Sequence, residues 1–305
     1  MDVEERIGPS TLILGEGGAQ AITSMIAQVM EAGFKTIEIC PAQFQSVDPL
    51  TDPSLLKKLF GEAERRRLRE ALKPFHLVTV HGSSFWVTKL RGGYKEEDFW
   101  EPYRELMRFA QDIGAQIVSF HPFQRSDDAD ISDAEMFEYN IEFGKKALQY
   151  SDEGFLSFAF ENMPGNGCWS LLPKINDVID TIDSERFGFL FDVSHAVLQL
   201  GESSENTIPH ILKALERCID STFQIHSHGI QKTKDFEAGL RDHMPLNKSN
   251  ILDYSKIMRM LKKNNFQGPI ILEIYFENAF DGRASFQDNL KACISAKHEL
   301  MRNRI

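Results

Sequence analysis

The sequence predicts a single α/β domain, a (β/α)8 TIM barrel, and three observations carry that expectation. Eight short apolar runs alternate with longer amphipathic stretches from end to end. The runs are near-continuously hydrophobic rather than alternating, as parallel strands buried on both faces are. Nothing between them reads as a linker, a low-complexity tract or a second domain, so residues 1–305 are expected to form one unit. A barrel of this kind takes about 250 residues, and loop insertions account for the excess.

In chain order, Thr11–Gly15 (TLILG) is the first expected strand, and AQAITSMIAQVMEAG follows with helical period and stops at Gly33. Lys35–Cys40 (KTIEIC) is the second strand. The basic cluster ERRRLRE, Glu64–Glu70, lies in a helical pattern mixed with Glu and reads as a solvated helix face. His76–His81 (HLVTVH) is the third strand, and EEDFWEPYRELMRFAQDIG is a helix stopped by Gly114. Gln116–His121 (QIVSFH) and DAEMFEYNIEFGKKALQY form the fourth unit, and Phe155–Glu161 (FLSFAFE) with SLLPKINDVIDTI the fifth. Phe187–Asp192 (FGFLFD) precedes ENTIPHILKALERC, and Thr222–His226 (TFQIH) precedes ILDYSKIMRMLKKN. Pro269–Tyr275 (PIILEIY) and the stretch AFDGRASFQDNLKACISAKHELMRN close the cycle. The helices share an apolar face at helical spacing, with glycine stops where the pattern ends. An open doubly wound sheet is the alternative, weakened because no glycine-rich phosphate loop is present.

Composition bounds the function. With 42% hydrophobic and 26% charged residues the chain has ordinary soluble globular composition. No run of about 18 apolar residues exists to span a membrane. The N-terminal MDVEERIGPS lacks an apolar signal core. The four cysteines (Cys40, Cys168, Cys218, Cys293) form no CxxC pair and read as free thiols, so a cytoplasmic protein is expected. The net charge of −11 argues against broad nucleic-acid binding, which needs basic residues to neutralise phosphates.

In a (β/α)8 barrel the active site forms at the C-terminal ends of the strands. From the third strand on, those ends carry His81, His121, Glu161, Asp192 and His226, and the eighth strand carries Glu273. His195 follows Asp192 by three residues, and His228 follows His226. His243, in RDHMPL, lies in the long loop after the seventh strand. Buried charges gathered at one rim are costly unless paired or bound to a metal. A mixed imidazole and carboxylate set is ligand chemistry for Zn, Mn, Fe or Co. Glu161, Asp192, His226 and Glu273 are the principal expected ligands. His81, His121, His195 and His243 are either further ligands or substrate contacts. His228 is either a substrate contact or part of the loop. Asp192 and Ser194 have a second reading as helix N-caps. Trp86 and Trp169, beyond the third and fifth strands, either wall a sugar pocket or pack. His76, His210 and His298 carry no expected chemistry.

These pieces together resemble the xylose-isomerase-like TIM barrels, which include sugar isomerases and epimerases and the endonuclease IV type of abasic-site nuclease. The likeness runs from GFKTIEI to LEIYF and rests on SFHPF, FENMPG, DVSHA, QIHSH, DHMPL and ILEIY. In the nuclease branch nine ligands hold three metals. The resemblance places eight of them at His81, His121, Glu161, Asp192, His195, His226, His243 and Glu273. The ninth should be an Asp two residues before His243, where this chain has Arg241, with the acid one step later at Asp242. The glycine-rich stretch usual after the proline-leucine is NKSN here, and GEGGAQ and CPAQFQ do not resemble DNA-reading loops. In the epimerase branch one metal is held by two Glu, one Asp and one His, and Glu161, Asp192, His226 and Glu273 supply that set.

Two functions follow as expectations. The first is an isomerase or epimerase of a small sugar or sugar phosphate. It would use one divalent metal (Mn, Zn or Co), with Glu161 and Glu273 exchanging a proton through an enediolate. His195, His228, Arg241 and Trp86 would contact the substrate. The alternative is a multinuclear zinc phosphodiesterase acting on abasic DNA, with two or three ions generating a hydroxide. A metal-dependent dehydratase or lyase, or a barrel that binds metal without catalysis, remains further off. The oligomeric state has no readable code.

Overall fold

The computed structural model describes residues 1–14, 19–41, 53–82, 96–123, 131–151, 155–164, 172–200, 207–232, 240–247, 251–275, 277–278, 282–283 and 285–302. Eight parallel strands form one sheet: β1 (Ile7–Pro9), β2 (Thr36–Ile39), β3 (Leu77–Gly82), β4 (Ile117–Phe120), β5 (Ser157–Glu161), β6 (Phe187–Asp192), β7 (Thr222–Ser227) and β10 (Ile270–Leu272). Their order is β1-β10-β7-β6-β5-β4-β3-β2. A parallel bridge from Ser10 to Glu38 brings β1 to β2, so the sheet is a nearly closed barrel. Between β7 and β10 an antiparallel ribbon is inserted, β8 (Gly229–Lys232) with β9 (Leu240–Met244).

The first strand is not where the hydrophobic run suggested. Thr11–Leu14 forms a 3-10 turn, and Ile7–Pro9 is the strand, in register with Ile270–Leu272. Glycine and proline inside a three-residue strand read as breakers in a sequence. Packing overrides that signal. A Cβ on Gly8 would lie 1.9 Å from the Thr36 carbonyl oxygen, so only glycine lets β1 lie this close to β2. The Thr36 hydroxyl donates to the Glu5 carbonyl at 2.6 Å, and the Arg6 guanidinium donates to the Phe266 carbonyl.

The helices Ala19–Glu31 and Glu96–Ile113 end just before Gly33 and Gly114, both at φ 82°. That left-handed conformation is the one a helix stop requires. Helix Asp133–Tyr150 starts with a capping box between Ser132 and Glu135. The helix Glu62–Leu72 presents Arg66 and Arg67 to solvent, but Arg65 is buried. The Arg65 guanidinium donates to the Phe60 carbonyl at 2.7 Å and to Asp112 at 2.9 Å, and it pairs with buried Glu105. The basic cluster is therefore only partly a solvated face. One of its arginines clamps two neighbouring helices.

The main apolar core lies between strands and helices. Phe143 of helix Asp133–Tyr150 packs on Phe120 at 4.8 Å and Phe160 at 5.6 Å between ring centroids. Alternation along each strand then turns Ala159 and Glu161, or Leu190 and Asp192, into the barrel. Low in the interior is a small apolar layer of Ile117, Ala159 and Leu190. Above it the interior is polar: Glu38, Glu161, Asp192, Gln224 and His226 are all fully buried. Among the described residues no helix is long and apolar enough to cross a membrane. Cys40, Cys218 and Cys293 are buried free thiols, and Cys168 lies outside the described residues.

Candidate metal centre

The six strand-end residues meet at the C-terminal rim. His81 and His226 are penultimate in β3 and β7, Glu161 and Asp192 end β5 and β6, and His121 and Glu273 directly follow β4 and β10. Glu161 lies at the middle and divides its oxygens. Its Oε2 faces His81 Nε2 at 2.8 Å and His121 Nε2 at 3.2 Å. Its Oε1 faces His195 Nδ1 at 3.1 Å and His226 Nδ1 at 3.5 Å. His226 Nδ1 also stands 3.3 Å from Glu273 Oε2 and 3.9 Å from Asp192 Oδ2.

Asp192 serves two structures at once. Its Oδ1 accepts the backbone N–H of His195 at 2.6 Å, capping a helix, Val193–Leu200, that begins as β6 ends. The same helix carries His195. Asn162 clamps the other side: its side chain donates to the Asp192 carbonyl at 2.9 Å and accepts the Asp192 N–H at 2.8 Å. His195 Nδ1 donates to the Asn162 carbonyl at 3.0 Å.

The ribbon brings the rest. His243 sits in β9 with Nε2 3.3 Å from Glu273 Oε2 and Nδ1 3.1 Å from Asp242 Oδ1. Its ring stacks on His228 with centroids 4.1 Å apart. Arg241 pairs with Gln231 across the ribbon and is half-buried. Asp242 Oδ2 is 3.9 Å from His195 Nε2, so the acid one step late does reach the site. Trp86 and Trp169 lie outside the described residues.

The electrostatics are those of carboxylates and imidazoles compensating one another. Burial alone would raise Glu161 and Glu273, but His226 and its neighbouring imidazoles outweigh it and hold both carboxyls well below the usual range. Asp192 is lowered too: against its burial stand His195 and His228. Burial disfavours a charged His195, yet Asp192 and Glu161 raise it to about 9. His243 rises to about 10 against the same burial, through Asp242 and Glu273. In His121 and His228 burial wins, and both are lowered.

Donor atoms of Glu161, Asp192, His226 and Glu273 all lie within 4.8 Å of one another. Two of them, Glu161 Oε1 and His226 Nδ1, are buried with no hydrogen-bond partner. Buried polar atoms without a hydrogen bond are rare in native structures, and a cation shared by these two atoms would satisfy both. The donor set of three carboxylates and one imidazole suits a divalent ion such as Mn, Zn or Co. His81, His121 and Glu161 form a second group within the same limit, and His195, His228 and His243 a third.

Glu38 was not among the sequence candidates. It is penultimate in β2 but in register with Thr79, two residues before His81, and is fully buried in the barrel. Its Oε2 meets His226 Nε2 at 3.0 Å and accepts from the Gln224 amide at 2.6 Å. The available signal was an acid inside the otherwise apolar run TIEI.

A nearly closed parallel barrel with imidazoles and carboxylates gathered at its C-terminal rim defines this chain as a (β/α)8 barrel. Residues 26–296 match the sequence model of the xylose isomerase-like TIM barrels, and the chain belongs to that family. Among similar solved structures is a D-psicose 3-epimerase from Clostridium cellulolyticum, solved with D-tagatose. It superposes with a TM-score of 0.72 at 10% identity, over 98% of this chain and 99% of that one. A D-allulose 3-epimerase from Methylomonas gives 0.69 at 15% identity, over 98% and 97%. A xylose isomerase-like TIM barrel protein from Mycobacterium smegmatis, solved in complex with magnesium, gives 0.66 at 15%, over 98% and 96%. Identities this low establish a shared fold. Among curated proteins no sequence match is significant.

Proposed function

We propose that the protein is a divalent-metal-dependent isomerase or epimerase of a small sugar or sugar phosphate. The observation that carries this reading is the convergence of Glu161 Oε1 and Glu273 Oε2 on His226 Nδ1, at 3.5 and 3.3 Å. Glu161, Asp192, His226 and Glu273 would hold the ion, which when bound polarises a substrate carbonyl. Glu161 and Glu273 reach the same point from two different strands, as a pair exchanging a proton at the adjacent carbon must. His195 and Arg241 would orient hydroxyl or phosphate groups, and Trp86 would wall the pocket. The sugar epimerases among the similar structures support this substrate class.

The test is to strip the protein with chelator, reload it with Mn, Co or Zn, count ions, and offer ketoses and their phosphate esters. Chelator-sensitive interconversion with one ion per chain supports the proposal. A metal-loaded protein that converts none of them contradicts it.

One observation favours the second reading. His81 and His121 both face Glu161 Oε2, an arrangement that a single ion at His226 does not use. Two or three zinc ions per chain, with cleavage of an abasic-site oligonucleotide, would establish a multinuclear phosphodiesterase instead.

A further inference from the structure

We propose that His228 is a positioning residue, a strut tying the Asp192 carboxylate to the ribbon that carries His243, and neither a metal ligand nor a substrate contact. The inference rests on the metal reading above for what the strut achieves, but not for its existence.

Both ring nitrogens of His228 are engaged within the protein. The backbone N–H of His243 donates to Nδ1 at 2.8 Å, so Nδ1 is an acceptor and carries no proton. A neutral imidazole then has its proton on Nε2, which stands 3.0 Å from Asp192 Oδ2. Ligation through either nitrogen would break one of these bonds. Three imidazoles near enough to share an ion, His195, His228 and His243, therefore do not make a three-histidine site. With both nitrogens taken inside the protein, the ring keeps no polar atom for a substrate.

The mounting of His228 is equally determined. Its carbonyl accepts from Ser194 Oγ at 2.6 Å and from Tyr254 OH at 2.7 Å, and its N–H donates to Tyr254 OH at 3.1 Å. Each end of the strut has a purpose. At one end Asp192 already gives Oδ1 to the His195 N–H, so a donor on Oδ2 fixes the plane of the carboxylate. At the other end His243 has φ 54°, a conformation costly for a non-glycine residue. The bond from its N–H and the stacked rings hold it there, with Nε2 toward Glu273.

Two substitutions separate the ends. In His228→Gln the new amide nitrogen falls near the former Nε2, so this variant keeps a donor to Asp192. His228→Asn keeps an acceptor near the former Nδ1 and loses that donor. Mn(II) titration calorimetry should show His228→Asn binding about 10- to 100-fold more weakly, the usual cost of losing a partner behind a ligand. His228→Gln should stay within about threefold of the parent, and all three proteins should bind the same number of ions at saturation. A stoichiometry lower by one in both variants would make His228 a ligand. A raised KM with unchanged Mn(II) affinity would make it a substrate contact. Parental affinity in both variants would show that it positions nothing. The ring tautomer, read by 15N NMR of the metal-free protein, is independent of any ion. The Nε2–H form is expected, and an Nδ1–H form or an imidazolium overturns the strut. A parent that binds no Mn(II), Co(II) or Zn(II) would defeat the metal reading, and the tautomer would still decide the strut.

Discussion

His226 gives its Nε2 to Glu38 Oε2 at 3.0 Å and turns Nδ1 to the middle of the rim, between Glu273 Oε2 at 3.3 Å and Glu161 Oε1 at 3.5 Å. A histidine that ligates a metal through one nitrogen commonly donates the other to a carboxylate, which fixes tautomer and ring orientation. Glu38→Gln keeps the shape and removes the charge. It should weaken Mn(II) binding by roughly tenfold or more without unfolding the protein. Unchanged affinity by calorimetry would show that Glu38 does not act through His226.

The same pair predicts proton release. Burial would lower His226, but Glu38, Glu273 and Glu161 raise it well above the ordinary range. Those carboxylates favour the protonated ring in the metal-free protein, and a cation at Nδ1 would displace that proton. Mn(II) titrations near pH 7.5 in buffers of different ionisation enthalpy should show at least one proton released per ion. Zero release would contradict ligation by His226.

Stability of the metal-free protein should fall on the alkaline side. His195 and His243 have folded values of about 9 and about 10, above the unfolded value near 6.5. In that window the folded state binds more protons than the unfolded chain, so stability drops as pH rises. Their contribution is complete below about pH 6.5 and gone once pH has passed about 10. Glu161 and Glu273, held low, act oppositely: their contribution is present above about pH 4.5 and is lost in acid. Tm of the metal-free protein, followed from pH 6 to 10, should decline. A rising Tm would contradict these protonation states.

Gly8 tests the barrel closure. A Cβ there would stand 1.9 Å from the Thr36 carbonyl oxygen, and backbone cannot yield as a side chain tip does. Gly8→Ala should cost about 3 kcal/mol or more in urea unfolding. A loss within about 0.5 kcal/mol, ordinary for an exposed position, would show that β1 does not pack this closely on β2.

The rim was legible in the sequence because each polar residue ended a run of apolar ones, and chain order then put those ends on one face. His81, His121, Glu161, Asp192 and His226 follow from that rule, and Glu273 lies near the end of its run rather than at it. Glu38 does not follow from the rule, because it sits one turn of the pleat deeper, where only closure of the barrel shows that it faces inward. Ile7–Pro9 was obscured by its own glycine and proline, residues that local propensity counts against a strand and that close packing here requires. Arg65 looked like its exposed neighbours because nothing local distinguishes it, and its partners Glu105 and Asp112 lie a helix away. The ribbon that delivers Asp242 and His243 depends on pairing across a loop, which periodicity cannot register.

Solvent-deuterium exchange tests the central claim most directly. The metal-loaded protein is incubated in D2O with ketoses and ketose phosphates, and each sugar is read by NMR. The account predicts deuterium at the carbon beside the carbonyl of at least one sugar, abolished by chelator. Glu161→Gln should slow the exchange by about 100-fold or more, the usual contribution of a proton-transfer group. Exchange that survives chelation and Glu161→Gln, or metal-loaded protein that labels no sugar, would contradict it.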